Sequence, residues 1–271
     1  MDNKIGFIWT WFIGGNMAEN FKDRGYNIVQ YSLEEPYCNN NEKLKETDVL
    51  FIAVPTPTKD RKFVKEILYR VIREQTLPWQ KIVIKSTIIA WTTEELQAMF
   101  PDRYFFHSAE FLTERNARND VDKPSRNIVG STEISEKYAQ EIMNLLPKSE
   151  YNFLVKASES EMGKYFWNFL LASKIIMANL MYDICQKYGI DYDKVKEIAW
   201  SDPRIWKSHL DVVFEWWRWA NWHCFPKDMA TFHEMYWVED KLGHILLEAM
   251  EMYNVELNKK TNKQPEIRLS E

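Results

Sequence analysis

The chain has 271 residues, with 40 acidic against 35 basic side chains and an apolar content of 45%. This length suffices for one large or two ordinary domains, and the apolar content excludes an intrinsically disordered chain. No apolar run approaches the roughly 18 residues of a membrane span. The net charge of −5 argues against a nucleic-acid partner, because phosphate binding requires a basic face.

The cysteines and histidines give no sign of a metal site. Cys38, Cys185 and Cys224 form neither a spaced pair nor a zinc pattern, and the five histidines show no metal spacing. The first residues lead straight into a strand-like run, which favours a chain without a signal peptide. We therefore expect a reduced, cytoplasmic setting, with no bound metal and no membrane contact.

Strand and helix patterns alternate over the first 150 residues. The strands are expected at 3–8, 26–31, 48–54, 81–85, 104–107 and 127–129. The helices are expected at 13–24, 59–73, 92–100 and 133–146, the last with Ser131 as its N-cap. This alternation predicts a parallel sheet covered by helices on both faces.

From about residue 151 the pattern becomes helical throughout. One long helix is expected over 158–188, and further helices follow to about residue 258. We therefore predict an α/β domain over residues 1–150, an all-helical domain over 156–260 and a polar tail over 261–271.

Seven short motifs follow one another in a characteristic order and spacing. They are Ile5-Gly6-Phe7-Ile8 with Ile13-Gly14, Val54-Pro55-Thr56-Pro57-Thr58, Lys85-Ser86-Thr87, Glu110-Phe111-Leu112-Thr113-Glu114, Lys164-Tyr165 with Asn168, Asp202-Pro203-Arg204-Ile205, and Cys224-Phe225-Pro226-Lys227-Asp228. Together they resemble the UDP-glucose/GDP-mannose dehydrogenases over essentially the whole chain. Full-length members carry a further C-terminal nucleotide-binding domain, so the chain resembles a two-domain form without it.

The resemblance implies both a fold and a reaction. The fold would be a Rossmann-type NAD-binding domain with a parallel sheet, followed by an all-helical central domain that also mediates a homodimer. The family oxidises the primary alcohol of a nucleotide sugar to a carboxylate with two NAD⁺. UDP-glucose is the favoured substrate here, and GDP-mannose is the alternative.

The resemblance also assigns catalytic roles. Cys224 would be the nucleophile: its thiolate attacks the aldehyde of the first oxidation, and the thiohemiacetal then becomes a thioester that water hydrolyses. Lys164 and Asn168 lie four residues apart on a helix, so they share a face and would stabilise one oxyanion. Glu110 would act as the general base for the hydrolytic water. Asp228 would assist Lys164.

Further side chains would bind the ligands. Thr87 would hydrogen-bond the water, and Arg204 would reach the substrate of a neighbouring subunit. The residues expected around the cofactor are Ile8, Trp9, Trp11, Phe12, Ile13, Thr56, Thr87, Glu114 and Lys227. Those expected around the sugar nucleotide are Glu110, Phe111, Leu112, Lys164, Asn168 and Arg204.

Each of these residues also has a simpler interpretation when taken alone. A cysteine among aromatic residues is usually a small buried apolar side chain, as Cys224 would be. Lys164 and Asn168 would lie on a solvated helix face, and Glu110 would be a surface acid at a strand end. Arg204 beside Asp202 would form a local ion pair of little energetic value.

The dinucleotide fingerprint departs from the family pattern. Where the family has Gly-x-Gly-x-x-Gly, the chain reads Trp9-Thr10-Trp11-Phe12-Ile13-Gly14, so only the third glycine remains. An indole at position 11 occupies the space of a phosphate at the helix N-terminus. The acid expected at the end of the second strand is also missing, because residues 30–32 are Gln, Tyr and Ser.

The same change recurs at other positions where the family has glycine or a small residue. Trp91, Trp167 and Trp206 are examples, and residues 217–223 replace a glycine-rich loop. Ala109 stands where the family has proline. This concentration favours an altered or redesigned, more heat-resistant chain whose cofactor and sugar pockets are filled. In another interpretation residues 214–225 are an aromatic membrane anchor, although no basic face accompanies them.

Overall fold

The computed structural model of the chain describes residues 3–8, 12–212, 218, 220, 224–235 and 241–261. Only the backbone is described for Phe12, Glu114, Cys224, His233, Glu234, Lys260 and Thr261. The chain divides into two compact units: residues 1–56 with 63–164, and residues 57–62 with 165–271. The domain limits expected from the sequence remain a prediction.

The first unit is built on a seven-stranded sheet. Its strands are β1 (Ile5–Ile8), β2 (Ile28–Tyr31), β3 (Val49–Ile52), β6 (Lys81–Ile84), β7 (Tyr104–His107), β8 (Arg126–Ser131) and β9 (Tyr151–Lys156). Between β3 and β6 the chain forms a separate two-stranded hairpin of β4 (Thr58–Lys59) and β5 (Lys62–Phe63). The order in the sheet is β2-β1-β3-β6-β7-β8-β9. All neighbours run parallel except β7 and β8, which pair antiparallel. This confirms the predicted Rossmann-type α/β fold, except that β8 and β9 run opposite to the other five strands of the sheet.

Alternate residues of the strands enter two separate cores. Val49 and Phe51 belong to one cluster of buried residues, whereas Leu50 and Ile52 belong to another. Successive side chains of a strand point to opposite faces, so both faces of the sheet are buried. The described helices of this unit are α1 (Phe12–Asp23), α2 (Asn41–Leu44), α3 (Glu66–Gln75), α4 (Thr92–Met99), α5 (Ala117–Asp122), α6 (Ala139–Leu145) and the first residues of α7 (Ala157–Tyr188).

Three elements differ from the sequence prediction. Residues 59–63 belong to the hairpin, so the helix expected over 59–73 begins only at Glu66. Ser131 is the last residue of β8 and caps no helix, because β8 continues its pairing with β9 to that point. The strand β9 was not predicted, and it prolongs the sheet beyond residue 150.

The second unit is helical. Its described helices are the remainder of α7, α8 (Tyr192–Trp200), α9 (Cys224–Met235) and α10 (Lys241–Thr261). The 32-residue α7 confirms the long helix predicted over 158–188. In the part of the chain that the structure covers, no helix has the length and apolarity to cross a membrane, and no three metal-ligating side chains cluster.

Candidate active site

The carboxyl edge of the sheet in the first unit carries the predicted cofactor region. The strand order reverses between β1 and β3, and ligands of open α/β sheets bind at the carboxyl ends of the strands beside such a reversal. Helix α1 begins only four residues after β1 ends, so its N-terminus lies near this edge. Trp9 and Trp11 lie outside the described residues.

Two of the residues predicted here meet directly. The Thr56 hydroxyl, which follows β3, donates to the carbonyl oxygen of Thr87 at 2.7 Å. Beside it, the Ser86 hydroxyl donates to the carbonyl oxygen of Val54 at 2.7 Å. These bonds join the segments that follow β3 and β6, and they hold Thr56 and Thr87 at the same edge of the sheet.

Glu110 forms an ion pair with Lys85. Lys85 directly follows β6, and its ammonium also donates to the Ser108 hydroxyl at 3.1 Å. The two charged side chains are nearly enclosed, with 3% of Lys85 and 18% of Glu110 exposed. Because Lys85 is bonded on two sides, it fixes the position of the carboxylate that the resemblance assigns as general base.

Lys164 lies in the same unit as Glu110. Its ammonium donates to the carbonyl oxygen of Glu110 at 2.6 Å and lies 4.8 Å from the centre of the Phe111 ring. The guanidinium of Arg126 lies 4.2 Å from the same ring centre. The structure therefore brings Lys164, Glu110 and Phe111 together, as expected for residues of one site.

Two buried ionisable groups adjoin this region. His107, the last residue of β7, is bonded to the Ser160 hydroxyl at 2.8 Å and to the Ser86 carbonyl oxygen at 3.3 Å. Burial lowers the pKa of His107 to about 3. Glu161 on α7 accepts hydrogen bonds from two backbone N–H groups, and burial raises its pKa to about 8. The imidazole is thus neutral at neutral pH.

In the second unit two of the predicted site residues, Asn168 and Asp228, bind each other, a contact that the sequence did not predict. The Asn168 side-chain amide donates to the Asp228 carboxylate at 2.6 Å, and both residues are buried. Lys227 forms an ion pair with the same carboxylate. The carbonyl oxygen of Lys227 accepts from the hydroxyls of Thr58 and Thr231 at 3.2 and 3.0 Å. Asp228 is therefore held by two donors at the start of α9.

The remaining predicted residues occupy simpler surroundings. Arg204 is exposed and pairs with Asp202 at 2.6 Å. Ile8 lies in one core of the sheet, and Ile13 and Leu112 pack against the other. Cys224 is the first residue of α9. The side chains of Phe12, Glu114 and Cys224 lie outside the described residues, so the predicted approach of the Cys224 thiol to Lys164 stays a prediction.

Lys85 is a site residue that was not among those predicted from the sequence. The residue stands in the quoted Lys85-Ser86-Thr87 motif, but only the structure pairs it with Glu110. A signal was nevertheless present, because a lysine at the end of an apolar strand of a buried sheet needs an acidic partner. The carboxyl ends of neighbouring parallel strands meet at one edge, which makes Glu110, just beyond the next strand, the natural candidate.

The chain matches two domains of one protein family. Residues 10–146 match the NAD binding domain of the UDP-glucose/GDP-mannose dehydrogenase family, and residues 158–256 match its central domain. The chain belongs to this family. The resemblance carried by the seven motifs is thereby confirmed, and NAD is the cofactor that the matched N-terminal domain binds.

Relatives and solved structures agree with this assignment. UDP-glucose 6-dehydrogenase AglM of Haloferax volcanii is 29% identical over 84% of this chain and 64% of its own length. UDP-glucose 6-dehydrogenase TuaD of Bacillus subtilis is 31% identical over 69% of this chain and 42% of its own length. The chain thus spans about two fifths to two thirds of the length of these relatives. A UDP-glucose dehydrogenase structure from Pyrobaculum islandicum shares the fold with a TM-score of 0.80 at 22% identity, covering 96% of this chain and 68% of that one.

Proposed function

We propose that the chain carries the catalytic part of an NAD-dependent nucleotide-sugar dehydrogenase that oxidises UDP-glucose, or a similar nucleotide sugar, to the uronic acid. The observation that carries this proposal is the enclosed Lys85–Glu110 pair beside Lys164. A carboxylate held at the carboxyl end of a Rossmann-type sheet suits proton transfer to or from a bound substrate. The family match over both domains supports the same reaction.

Cys224 is the nucleophile of the proposal. It begins α9, and the positive end of a helix dipole favours a thiolate over a thiol. The sulfur attacks the carbonyl carbon of an aldehyde, and the carbonyl oxygen becomes an alkoxide. Lys164 supplies a positive charge and Asn168 an N–H donor for that oxygen. NAD⁺ would accept one hydride when the primary alcohol becomes the aldehyde, and a second NAD⁺ would accept the hydride of the carbon bound to sulfur, so that the thiohemiacetal becomes a thioester.

Hydrolysis of the thioester is the step in which Glu110 acts. A water attacks the thioester carbon while the Glu110 carboxylate accepts a proton from it, and the carbon–sulfur bond then breaks to return the thiolate. Asp228 acts as a positioning residue, because it accepts from the Asn168 amide and fixes where that amide points. Thr87 is the proposed partner of the attacking water.

The backbone fold suits the binding of a dinucleotide, but several side chains at the expected binding positions do not. The strand reversal and the start of α1 provide the usual place for a pyrophosphate. The end of β2, however, carries Gln30 and Tyr31, and neither offers the carboxylate that usually accepts from the ribose hydroxyls. Trp9 and Trp11 replace two fingerprint glycines. The residue types at these two places therefore do not match the usual pyrophosphate and ribose contacts of a dinucleotide.

The second candidate is a folded protein without activity, in which tryptophan fills the cofactor and sugar pockets. The fingerprint substitutions favour it, since an indole in place of a phosphate prevents binding. Trp79 and Trp91 do not fit this explanation, because both indoles are exposed. Filling a pocket gains stability only where the added side chain is buried.

We also propose that the protein is a homodimer. Helix α7 leaves a row of apolar side chains exposed, among them Phe166, Leu170, Met177, Met181 and Ile184. Their spacing places them along one side of the helix, and an exposed apolar surface of this kind is typical of an interface. Sedimentation equilibrium measures the mass directly, and a monomer at high protein concentration would refute the dimer.

The decisive assay combines UDP-glucose and NAD⁺ with the triple variant W9G/W11G/W222G. We expect two NADH for each uronate released, with GDP-mannose tested in parallel. C224S should abolish uronate formation, and C38S is the matched control because Cys38 lies in a different unit from Cys224. If neither nucleotide sugar reduces NAD⁺, the inactive protein becomes the better explanation.

A further inference from the structure

Two tryptophans occupy a backbone conformation that favours glycine. The angle φ is 68° at Trp79 and 75° at Trp91. In this left-handed region the Cβ of an L-residue comes too close to the following carbonyl oxygen, so a bulky residue is rarely found there. Glycine has no Cβ and adopts the conformation freely.

The backbone around Trp79 is held in place by its neighbours. The Trp79 N–H donates to the carbonyl oxygen of Asp102 at 2.6 Å. The next side chain, Gln80, is buried; it accepts from the Leu77 N–H at 2.7 Å and donates to the Thr47 carbonyl oxygen at 2.9 Å. The turn into β6 is therefore fixed on both sides of Trp79, and its φ cannot relax without breaking these bonds.

The backbone at Trp91 is held by a buried acid. The Trp91 N–H donates to the Glu161 carboxyl group at 2.7 Å, and the Thr93 N–H and hydroxyl donate to the same group at 2.8 and 2.6 Å. Trp91 stands immediately before α4, where it is the N-cap. Glu161 thus binds the backbone at the start of α4, and these hydrogen bonds hold Trp91 in its left-handed conformation.

Neither indole gains much from its surroundings. Trp79 is 72% exposed and Trp91 is 67% exposed, although tryptophan is on average a highly buried residue. A large aromatic side chain normally contributes through the apolar area that it removes from water. At these two positions the backbone is strained and the side chain remains in solvent.

We infer that positions 79 and 91 are glycine positions, and that the cell from which the gene comes inserts glycine where this chain carries tryptophan. Position 79 lies in none of the seven motifs, so its backbone is an observation independent of the family resemblance. The resemblance likewise expects glycine at positions 9, 11 and 206, and a glycine-rich loop over residues 217–223, where Trp222 lies.

A single codon accounts for the exchange. The tryptophan codon UGG differs only in its third base from UGA, which some genetic codes read as tryptophan and others as glycine. If the cell reads UGA as glycine, every UGA codon of its gene appears as tryptophan when the gene is translated with a code that reads UGA as tryptophan. The composition fits, with 12 tryptophans and only 8 glycines among 271 residues, where about 7% glycine is usual.

The inference changes what is expected of the cofactor site. Glycine at positions 9 and 11 would complete Gly-x-Gly-x-x-Gly with Gly14, the turn that lets a backbone approach a pyrophosphate. This consequence rests on the proposed function. The stability measurements below do not, so a failure of the glycine assignment and a failure of the proposed function are distinguishable.

Urea unfolding of W79G, W79A, W91G and W91A tests the glycine positions. Both substitutions at one position remove the same exposed indole, but only glycine also removes Cβ. We expect the folding equilibrium constant of each glycine variant to be roughly tenfold larger than that of the alanine variant at the same position. Alanine variants that match or exceed the glycine variants would overturn the assignment.

Trp200 provides the control. It is the last residue of α8 and has a right-handed backbone, so alanine should be the more stable replacement there. We expect W200A to unfold at higher urea than W200G. If the glycine variant is more stable than the alanine variant at all three positions, the preference does not come from φ and the assignment fails.

The codon explanation has its own test. The gene should carry TGA at positions 79 and 91, and peptides of the protein purified from its source cells should show glycine there by tandem mass spectrometry. TGG codons, or peptides that contain tryptophan, would overturn the inference whatever the stability of the variants.

Discussion

Lys85 and Glu110 form an enclosed ion pair at the carboxyl edge of the sheet, just beyond the ends of β6 and β7. The Ser108 hydroxyl accepts from the same ammonium, so Lys85 has a charged and a neutral partner. Lys164 approaches Glu110 from α7 and binds its carbonyl oxygen. Two lysines therefore act on Glu110, one through the carboxylate and the other through the backbone.

Removing the charge of Lys85 should destabilise the fold. In K85M the Glu110 carboxylate loses its partner in a site that is largely closed to water, and we expect the free energy of unfolding to fall by about 3 kcal/mol. Urea unfolding measures the change. K45M removes one partner of the exposed Lys45–Glu42 pair, so it should cost less than about 0.5 kcal/mol. Equal losses in the two variants would contradict the structural role of Lys85.

Glu161 should make the fold less stable at alkaline pH. Its pKa is about 8 in the folded chain against an ordinary value of 4.5, so the folded state binds more protons than the unfolded state between these values. Stability therefore falls as the pH rises through this window. His107 has the opposite effect on stability, because its pKa is about 3 in the folded chain against an ordinary value of 6.5. Stability therefore rises with pH between these two values, and above pH 6.5 His107 causes no further change.

Between pH 6.5 and 8 the stability should therefore depend on the titration of Glu161 and not on that of His107. There we expect the free energy of unfolding to fall by about 2 kcal/mol as the pH rises. E161Q does not titrate, so the fall should disappear in that variant. Unfolding measured at several pH values in one buffer series provides the comparison. A fall of the same size in E161Q would assign the effect to another group.

Periodicity and motif order predicted the fold well and the turns poorly. The parallel strands and α7 follow from apolar runs and helical spacing, which act locally. The β4–β5 hairpin was missed because Phe63 suits a helical stripe as well as a strand. The strand β9 was missed because its side chains are mostly exposed, and its formation depends on pairing with β8 over six residues.

The candidate site was predicted in part. The motifs named Glu110, Lys164, Asn168 and Asp228, which the structure places in two groups, one in each unit. For the pairing of Lys85 with Glu110 the sequence offers only an indirect signal, because the contact itself depends on the register of β6 against β7. The left-handed backbone at Trp79 was likewise invisible, since no local pattern marks it.

Asp228 should matter more to the stability of the second unit than an acid at its surface. In D228A the Asn168 amide and Lys227 both lose their buried acceptor, and we expect a loss of about 3 kcal/mol. D228N keeps one acceptor oxygen and should cost about half as much. D211A is the control and should change little, because the Asp211 side chain is exposed and its partner Lys196 keeps a second ion pair with Asp193. A D228A variant as stable as D211A would show that the buried pair does not stabilise the fold.

NAD⁺ binding should depend on the tryptophans of the fingerprint. Missing charge-assisted bonds to phosphate cost about 1.5–3 kcal/mol each, and 1.4 kcal/mol corresponds to tenfold in affinity. Two or three such losses carry a micromolar ligand to millimolar or weaker. Calorimetry should therefore detect no binding to the chain and micromolar binding to W9G/W11G/W222G. Only the triple variant should show a thermal shift with NAD⁺.

The outcomes of this titration separate the possible causes. Micromolar binding by the unchanged chain would overturn the argument that indoles occupy the phosphate space. If the triple variant binds no better than the chain, the missing acid at the end of β2 becomes the cause, and Y31D added to the triple variant should restore affinity through the ribose hydroxyls. Adding W79G and W91G should raise stability without changing affinity, because their strain lies in the backbone of the two turns that precede β6 and α4.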